Sequence, residues 1–199
     1  MLHNLPTLEQ FLRLLQQVPY LASKNMYRVA THFLTMDDKK VDQFCSALLQ
    51  LKKQIIYCQT CFFWQEKGRG CIFCSSEKRD SSLICVVETW QAVMTIERAG
   101  GYNGLYHVLT GVICPLDGIG PAQLTIDDLV ARITHGSQEL VMALSQTPEG
   151  EATAAYIATK VKDRAIKISC LSRGIPVGSP IETLDRLTVY KALLERRPL

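Results

Sequence analysis

The sequence predicts an α/β protein in which a helical region and a four-cysteine motif precede a parallel sheet covered by helices. Three observations support this fold class. Apolar residues recur at helical spacing through residues 1–57, four cysteines follow within residues 58–74, and short apolar runs alternate with helical segments from residue 83 onward. Such alternation is typical of parallel sheets with helices on their faces. The chain has 199 residues, of which 47 % are hydrophobic, enough to form a sizeable core.

The first 57 residues carry three apolar stripes. Side chains three or four positions apart lie on one face of a helix, so each stripe predicts an amphipathic helix. Pro19 interrupts the first two stripes, and we therefore expect helix, tight turn and helix across residues 1–35. The stripes consist of Leu8, Phe11, Leu12 and Leu15; of Met26, Val29, Ala30 and Phe33; and of Val41, Phe44, Cys45, Leu48, Leu51 and Ile55.

The four-cysteine motif has the spacing Cys-x2-Cys-x9-Cys-x2-Cys. Each Cys-x-x-Cys pair can turn two sulfurs toward one point, and two pairs complete a tetrahedral thiolate cage for Zn2+. Because four thiolates leave no open coordination position, we expect one structural zinc ion per chain and no catalysis at this site. Coincidental spacing or a pair of disulfides is the alternative. The expected ligands are Cys58, Cys61, Cys71 and Cys74.

Composition narrows the classes of function. The net charge of +3 is small, so any contact with nucleic acid has to come from a local basic patch. No run of 18 apolar residues occurs, and the first residues lack a basic segment followed by an apolar one, so we expect neither a membrane span nor a signal peptide. The remaining cysteines lie singly in apolar surroundings and are expected to be reduced core residues of a cytoplasmic protein. They are Cys45, Cys85, Cys114 and Cys170.

From residue 83 onward, apolar runs suited to buried strands alternate with helical patterns. Before them, the polar run at residues 75–82 is predicted to be a linker, and after them a turn-rich tail begins at Gly174. The predicted strands are residues 83–87, 105–109, 140–144 and 166–171, and the predicted helices are residues 91–99, 126–133, 151–162 and 188–196.

Acidic residues follow the predicted strands, at the edge where parallel sheets collect functional groups. Glu88 follows the first strand, Asp117 lies in a turn-rich loop after the second, and Glu149 and Glu151 come after the third. Carboxylates gathered there would hold Mg2+ for phosphoryl transfer. The alternative is that Glu149 and Glu151 stabilise a helix N-terminus, where negative charge is favoured. A partner-binding role for Glu88 is as plausible as a metal role.

This arrangement resembles the Toprim module of topoisomerases and bacterial primases. That module has a Glu after its first strand and an Asp-x-Asp pair after a later one, which in type IA topoisomerases lies just before a Glu-Gly-Glu. Glu88 and the tripeptide at residues 149–151 match, but Ser145 and Thr147 stand where the aspartates would be. A hydroxyl carries no charge and is a poor Mg2+ ligand compared with a carboxylate. The resemblance therefore implies a retained scaffold without metal-assisted strand cleavage or synthesis.

The chain resembles the bacterial recombination mediator family RecR over essentially its whole length. The resemblance lies in the order of its parts: a helical region, then the four-cysteine motif, then a Toprim module that lacks its Asp pair. The most specific stretches are residues 84–88, 115–121, 149–154 and 174–178. The resemblance implies a helix–hairpin–helix region at residues 1–57, a zinc finger at 58–74, a Toprim domain at 82–174 and a C-terminal oligomerisation segment at 175–199.

The resemblance implies a non-enzymatic role in DNA repair. Members of this family act with RecO, and in many bacteria with RecF, to help RecA replace single-strand-binding protein at DNA gaps. They form ring-like tetramers built as dimers of dimers, with subunit contacts from the helix–hairpin–helix and C-terminal regions. The expected partners are thus gapped or duplex DNA, RecO, RecF where it exists, and further copies of this chain, in the cytoplasm and at the nucleoid. The sequence does not decide between a dimer and a tetramer. It also does not decide whether the chain binds DNA by itself or only together with RecO.

The family's hairpin pattern, Leu-Pro-Gly-hydrophobic-Gly-x-Lys followed four residues later by Arg, is matched in part. Lys24 and Arg28 are kept and lie on one helix face, so the resemblance implies that they contact DNA on the inner wall of the ring. Tyr20 and Ala22 replace both glycines, which would allow positive φ and close approach to a phosphate. The alternative for the two basic residues is an ordinary solvated helix face.

Two other functions compete with the mediator role. The first is a Mg2+-dependent Toprim nuclease or topoisomerase-like enzyme acting through Glu88, Asp117, Glu149 and Glu151, against which the missing aspartates count directly. The second is a zinc-stabilised adaptor that does not bind DNA itself, which agrees with the altered hairpin and the small net charge.

Overall fold

The computed structural model describes residues 4–133, 136–172 and 174–196. The predicted features at residues 1–3, 134–135, 173 and 197–199 lie outside the described residues. The chain divides into two compact units, an N-terminal unit up to Ile55 and a C-terminal unit from Ile56. The mixed α/β class predicted from the sequence is confirmed.

From residue 4 onward, where its description begins, the N-terminal unit contains three α-helices, α1 (Pro6–Leu15), α2 (Ser23–Thr35) and α3 (Asp38–Gln54). Pro6 opens α1, where the missing amide hydrogen costs nothing. Asp37 caps α3 by accepting a hydrogen bond from the Lys39 amide N–H. The predicted helix, turn and helix around Pro19 are confirmed.

Helices α1 and α2 pack against each other, whereas α3 leaves its apolar face exposed. The small core between α1 and α2 centres on Leu12, Met26 and Ala30. No residue of α3 is buried, so the expectation that Cys45 belongs to a core is wrong. The exposed apolar side chains of α3 are Phe44, Leu48, Leu49 and Leu51.

The C-terminal unit is built on a four-stranded parallel sheet with the strand order β4-β3-β5-β6. The strands are β3 (Asp80–Val87), β4 (Gly104–Val108), β5 (Glu139–Ala143) and β6 (Lys167–Cys170), and they confirm the four predicted strands. Before them, β1 (Ile55–Tyr57) and β2 (Trp64–Glu66) form a separate two-stranded sheet.

Strand β3 begins earlier than predicted, because backbone pairing extends into the polar run. Asp80 is paired with Gly104 and its amide N–H bonds to Asn103 O, while Ser82 O accepts from the Gln138 amide. The linker prediction is therefore wrong for residues 80–82. Their polar side chains are tolerated because this end of the strand is partly or fully exposed.

Within the described residues, the C-terminal unit also contains four α-helices: α4 (Trp90–Ala99), α5 (Ile126–Arg132), α6 (Pro148–Val161) and α7 (Arg186–Leu194). Helix α6 begins three residues before its predicted start. Thr147 caps it by accepting from the Gly150 amide, and Pro148 occupies the first turn. Helix α7 is capped in the same way by Asp185, which accepts from the Thr188 amide.

Alternate residues of β3 face two separate cores, as expected for a strand buried on both sides. Ile84 and Val86 belong to the core that also contains residues of α5 and α6, and Cys85 and Val87 belong to the core that also contains Val93 of α4. The prediction of a core cysteine is thus confirmed for Cys85. It is wrong for the two that follow, since Cys170 is exposed and Cys114 is half-buried.

Among the helices of the described residues, none is long and apolar enough to cross a membrane.

Candidate metal centre, acidic residues and hairpin

The two Cys-x-x-Cys pairs are held by short backbone turns. After β1, the Cys58 amide bonds to Phe63 O at 2.8 Å and the Phe62 amide returns to Cys58 O at 2.9 Å. The second pair is closed by the Ser75 amide, which donates to Cys71 O at 2.9 Å. Each turn directs its two sulfurs to the same side.

The four sulfurs of Cys58, Cys61, Cys71 and Cys74 all lie within 4.8 Å of one another. A tetrahedral zinc–thiolate site, with Zn–S bonds of about 2.3 Å, has sulfur–sulfur edges of roughly 3.8 Å. The Cys61 and Cys71 sulfurs are 3.5 Å apart. Three of the cysteines are buried and Cys74 is half-buried. The residues present therefore fit a four-coordinate metal ion.

Two thiols of this cluster are hydrogen-bonded to each other. A hydrogen bond between the Cys61 and Cys71 sulfurs raises the pKa of Cys61 and lowers that of Cys71. A metal ion that binds here displaces the thiol protons.

The motif is part of the C-terminal unit's core. Phe63, Phe73 and three of the cysteines share one buried cluster with Tyr106 and Val108 of β4. The Val108 amide also donates to Cys61 O at 2.8 Å, so the backbone of β4 continues hydrogen bonding into the motif. A change at the metal centre consequently reaches the sheet directly.

Arg79 fastens the segment between the motif and β3. Its guanidinium donates to Gly104 O at 2.9 Å and to the Glu97 carboxylate at 2.6 Å, and it lies over the Phe73 ring at 4.8 Å. Tyr106 donates its hydroxyl to the other Glu97 oxygen at 2.6 Å. Sequence reasoning missed Arg79 because it lies in a polar run, and no local pattern marks a partner 18 residues away.

Glu88 lies at the carboxyl end of β3, where the predicted metal-binding edge would be, and Ser145 occupies both of its oxygens. One oxygen accepts a short hydrogen bond from the Ser145 amide, and the other accepts the Ser145 hydroxyl at 2.9 Å. The residue in the place of the first aspartate thus donates a side-chain hydrogen bond to the Glu88 carboxylate, which an ionised aspartate side chain could not do.

The position of the second aspartate has a structural use. Thr147 caps α6, and Gly150 in the first turn passes so close to Ser145 that a Cβ atom would lie 2.1 Å from the Ser145 carbonyl oxygen. Glycine in the Glu-Gly-Glu sequence is therefore required by backbone packing. Glu149 and Glu151 flank it in the first turn of the helix.

The four acidic residues do not form a cluster that could hold a metal ion. Glu151 forms an ion pair with Lys191 of α7 at 2.9 Å, and Asp117 accepts a hydrogen bond from the Cys114 thiol at 3.2 Å. Across the described residues, the groups of three or more His, Cys, Asp and Glu side chains close enough for a metal comprise the four cysteines alone.

The hairpin at residues 18–24 leads into α2. Lys24 and Arg28 lie one turn apart on this helix and are both exposed. The first turn of α2 contains no acidic residue and has no side-chain cap. Its amide N–H groups and the Lys24 ammonium together favour an anion.

Tyr20 has a backbone conformation that favours glycine. Its φ is 63°, in the left-handed region, and its side chain is fully exposed. The positive φ is therefore present at this position although the residue is not glycine. Ala22, by contrast, has φ −59°, where any residue fits.

Replacing Tyr20 by glycine should raise the free energy of unfolding of the N-terminal unit by about 1 kcal/mol, since a left-handed conformation costs an L-residue about 1–2 kcal/mol and glycine loses somewhat more backbone entropy on folding. No packing is lost with a fully exposed ring. Denaturant unfolding of the full chain measures the change. Tyr20→Ala is the matched control: it removes the ring but keeps Cβ, and an equal gain from it would contradict the role of the backbone.

The sheet and the four-cysteine motif define a Toprim-domain protein with a cysteine cluster that could hold a metal ion. The family model described as Toprim domain matches residues 82–172. Two proteins named recombination protein RecR are similar over nearly the full length. That of Magnetococcus marinus is 41 % identical over 195 residues, covering 98 % of this chain and 97 % of the relative. That of Chlorobaculum tepidum is 40 % identical over 191 residues, covering 94 % and 92 %. The chain belongs to the RecR family of recombination proteins.

Proposed function

We propose that this protein is a non-enzymatic mediator of recombinational repair, which binds DNA together with RecO, and with RecF where that protein exists, and helps RecA to load at single-strand gaps. Membership of the RecR family over nearly the whole chain is the observation that carries this proposal. The site of action would be the nucleoid in the cytoplasm.

A non-enzymatic role is supported by the way the Toprim acids are used. The Glu88 carboxylate accepts hydrogen bonds from Ser145, and Glu151 forms an ion pair with Lys191. To assemble a Mg2+ site, these contacts would have to break, and the positions of Ser145 and Thr147 would still supply no carboxylate. The Toprim scaffold then serves as a binding surface.

We also propose that the metal of the four-cysteine site is Zn2+, one ion per chain, in a structural role. Four thiolates in tetrahedral reach of one point are the ligand set that zinc prefers, and they leave no position for a substrate. The buried location beneath Phe63 and Phe73 agrees with a structural ion.

Assembly into a homodimer or a tetrameric ring is supported by exposed apolar faces in both regions where the family makes subunit contacts. In the N-terminal unit, α3 exposes Phe44 and Leu48, and a groove of about 590 Å³ lies between α1 and α2 beside Phe11 and Phe33. At the other end of the chain, α7 exposes Leu187, Tyr190, Leu193 and Leu194. Apolar area of this kind is normally covered in the working assembly. Sedimentation equilibrium across a concentration series tests this, and a monomer at all concentrations would contradict it.

The experiment that tests the function is a gel shift on labelled gapped DNA in the presence of Mg2+, with and without purified RecO, at two salt concentrations. We expect a complex that weakens as salt rises and DNA that remains uncleaved. A shift only when RecO is present would mean that this chain bridges proteins and leaves the DNA contact to its partner. Cleaved or relaxed DNA would overturn the mediator role in favour of a Toprim enzyme.

A further inference from the structure

Arg132 is the last residue of α5, and its side chain reaches the metal-binding motif. One terminal nitrogen of the guanidinium donates to the carbonyl oxygen of Tyr106 in the edge strand β4. The other lies 3.7 Å from the Cys74 sulfur. The carbonyl contact fixes the plane of the guanidinium, and this places the second nitrogen against the sulfur.

Cys74 is the ligand most accessible to solvent, and therefore to protons and competing ligands. It is half-buried, whereas Cys58, Cys61 and Cys71 are buried. A divalent ion held by four thiolates leaves a formal charge of −2 on the site, and that charge is stabilised by N–H groups aimed at the sulfurs. The Thr60 amide supplies one, at 3.4 Å from the Cys58 sulfur. Arg132 supplies another on the opposite Cys-x-x-Cys pair, together with a full positive charge.

We infer that Arg132 is a positioning residue of the metal centre: its guanidinium orients the Cys74 thiolate, neutralises part of the charge of the site and slows metal release. Arginine is required because its planar fork bonds the Tyr106 carbonyl and the sulfur at the same time, whereas the ammonium of a lysine is a point charge without that geometry. This inference rests on the proposed metal site and assigns it a residue 58 positions from Cys74, in a different element of the fold.

The test is the rate of metal transfer from the purified, metal-loaded chain to a chromogenic chelator. We expect Arg132→Met to release zinc about tenfold faster than the parent, the lower end of the effect of losing such an outer contact. Arg132→Lys should fall between the two, since it keeps the charge and loses the fork. In cobalt-loaded protein, the sulfur-to-metal charge-transfer band should shift in Arg132→Met.

Arg164→Met is the matched control. Arg164 also donates from its guanidinium to a carbonyl, that of Ile133 at the end of the same helix, and this bond involves no cysteine sulfur. Its release rate and cobalt spectrum should equal those of the parent. Equal acceleration in both variants, or none in Arg132→Met, would overturn the inference. If Arg132→Met is insoluble, the rate for Arg132→Lys decides in its place. A parent chain that takes up no metal would instead overturn the metal site, and with it this role.

Discussion

Replacing Cys71 by serine should abolish metal binding and leave the C-terminal unit unable to hold its native fold. Cys71 is buried in the same cluster as Phe63, Phe73 and the β4 residue Tyr106. Zinc binding to cysteine sites contributes an apparent 10–16 kcal/mol at neutral pH, and the total stability of a domain is about 5–15 kcal/mol. Losing a metal ligand therefore removes a stabilising free energy comparable to the total stability of the domain. Metal content by mass spectrometry should fall from one ion per chain toward zero, and the soluble yield should fall with it.

Cys170→Ser is the matched control for this prediction. It makes the same substitution in the same unit, but Cys170 is exposed and lies outside the metal cluster. We expect it to keep full metal content and solubility. A soluble, metal-free Cys71→Ser protein that unfolds at the parent temperature would show that the four cysteines do not support the fold.

Features that depend on neighbouring residues were predictable from the sequence. The spacing of the four cysteines determines that their sulfurs can converge, because each pair is closed by a turn of a few residues. The strands from β3 to β6 were predictable because continuous apolar runs are typical of strands buried on both faces. The predicted start positions of the elements were less accurate. Thr147 caps α6, so this helix begins earlier than predicted, and backbone pairing extends β3 to Asp80.

Contacts between distant segments were not predictable in this way. Ser145 bonds Glu88 across 57 positions and Arg132 reaches Cys74 across 58, and no local pattern encodes either pairing. Apolar periodicity likewise predicts an apolar face on α3 but not what covers that face, so it predicts a core position for Cys45, which the structure shows to be exposed. Tyr20 is a third case, because its residue type argues against the backbone conformation that the hairpin imposes.

Replacing both Lys24 and Arg28 by glutamate should abolish binding to gapped DNA while metal content and oligomer size stay at parent values. The two side chains are exposed on one face at the start of α2, and the first turn of this helix has no acidic residue. The substitutions replace two positive charges by two negative charges. The negative charges repel DNA phosphates that lie near these positions. The neutral double variant, Lys24→Gln with Arg28→Gln, gives a finer measure. If each residue neutralises one phosphate, the log–log dependence of affinity on salt should become shallower by about 1.8 on duplex DNA.

The control has to separate a local contact from the change in net charge, since the double glutamate variant moves the chain from +3 to −1. Lys52→Glu with Lys53→Glu makes the same change on exposed residues at the other end of the helical unit, in α3. If the DNA contact lies at the hairpin, this variant should bind with moderately reduced affinity and an unchanged salt slope. An equal loss of DNA affinity in the two variants would mean that binding depends only on the net charge of the protein. Parent-like binding by the Lys24 and Arg28 variant would place the DNA contact elsewhere on the chain or on RecO.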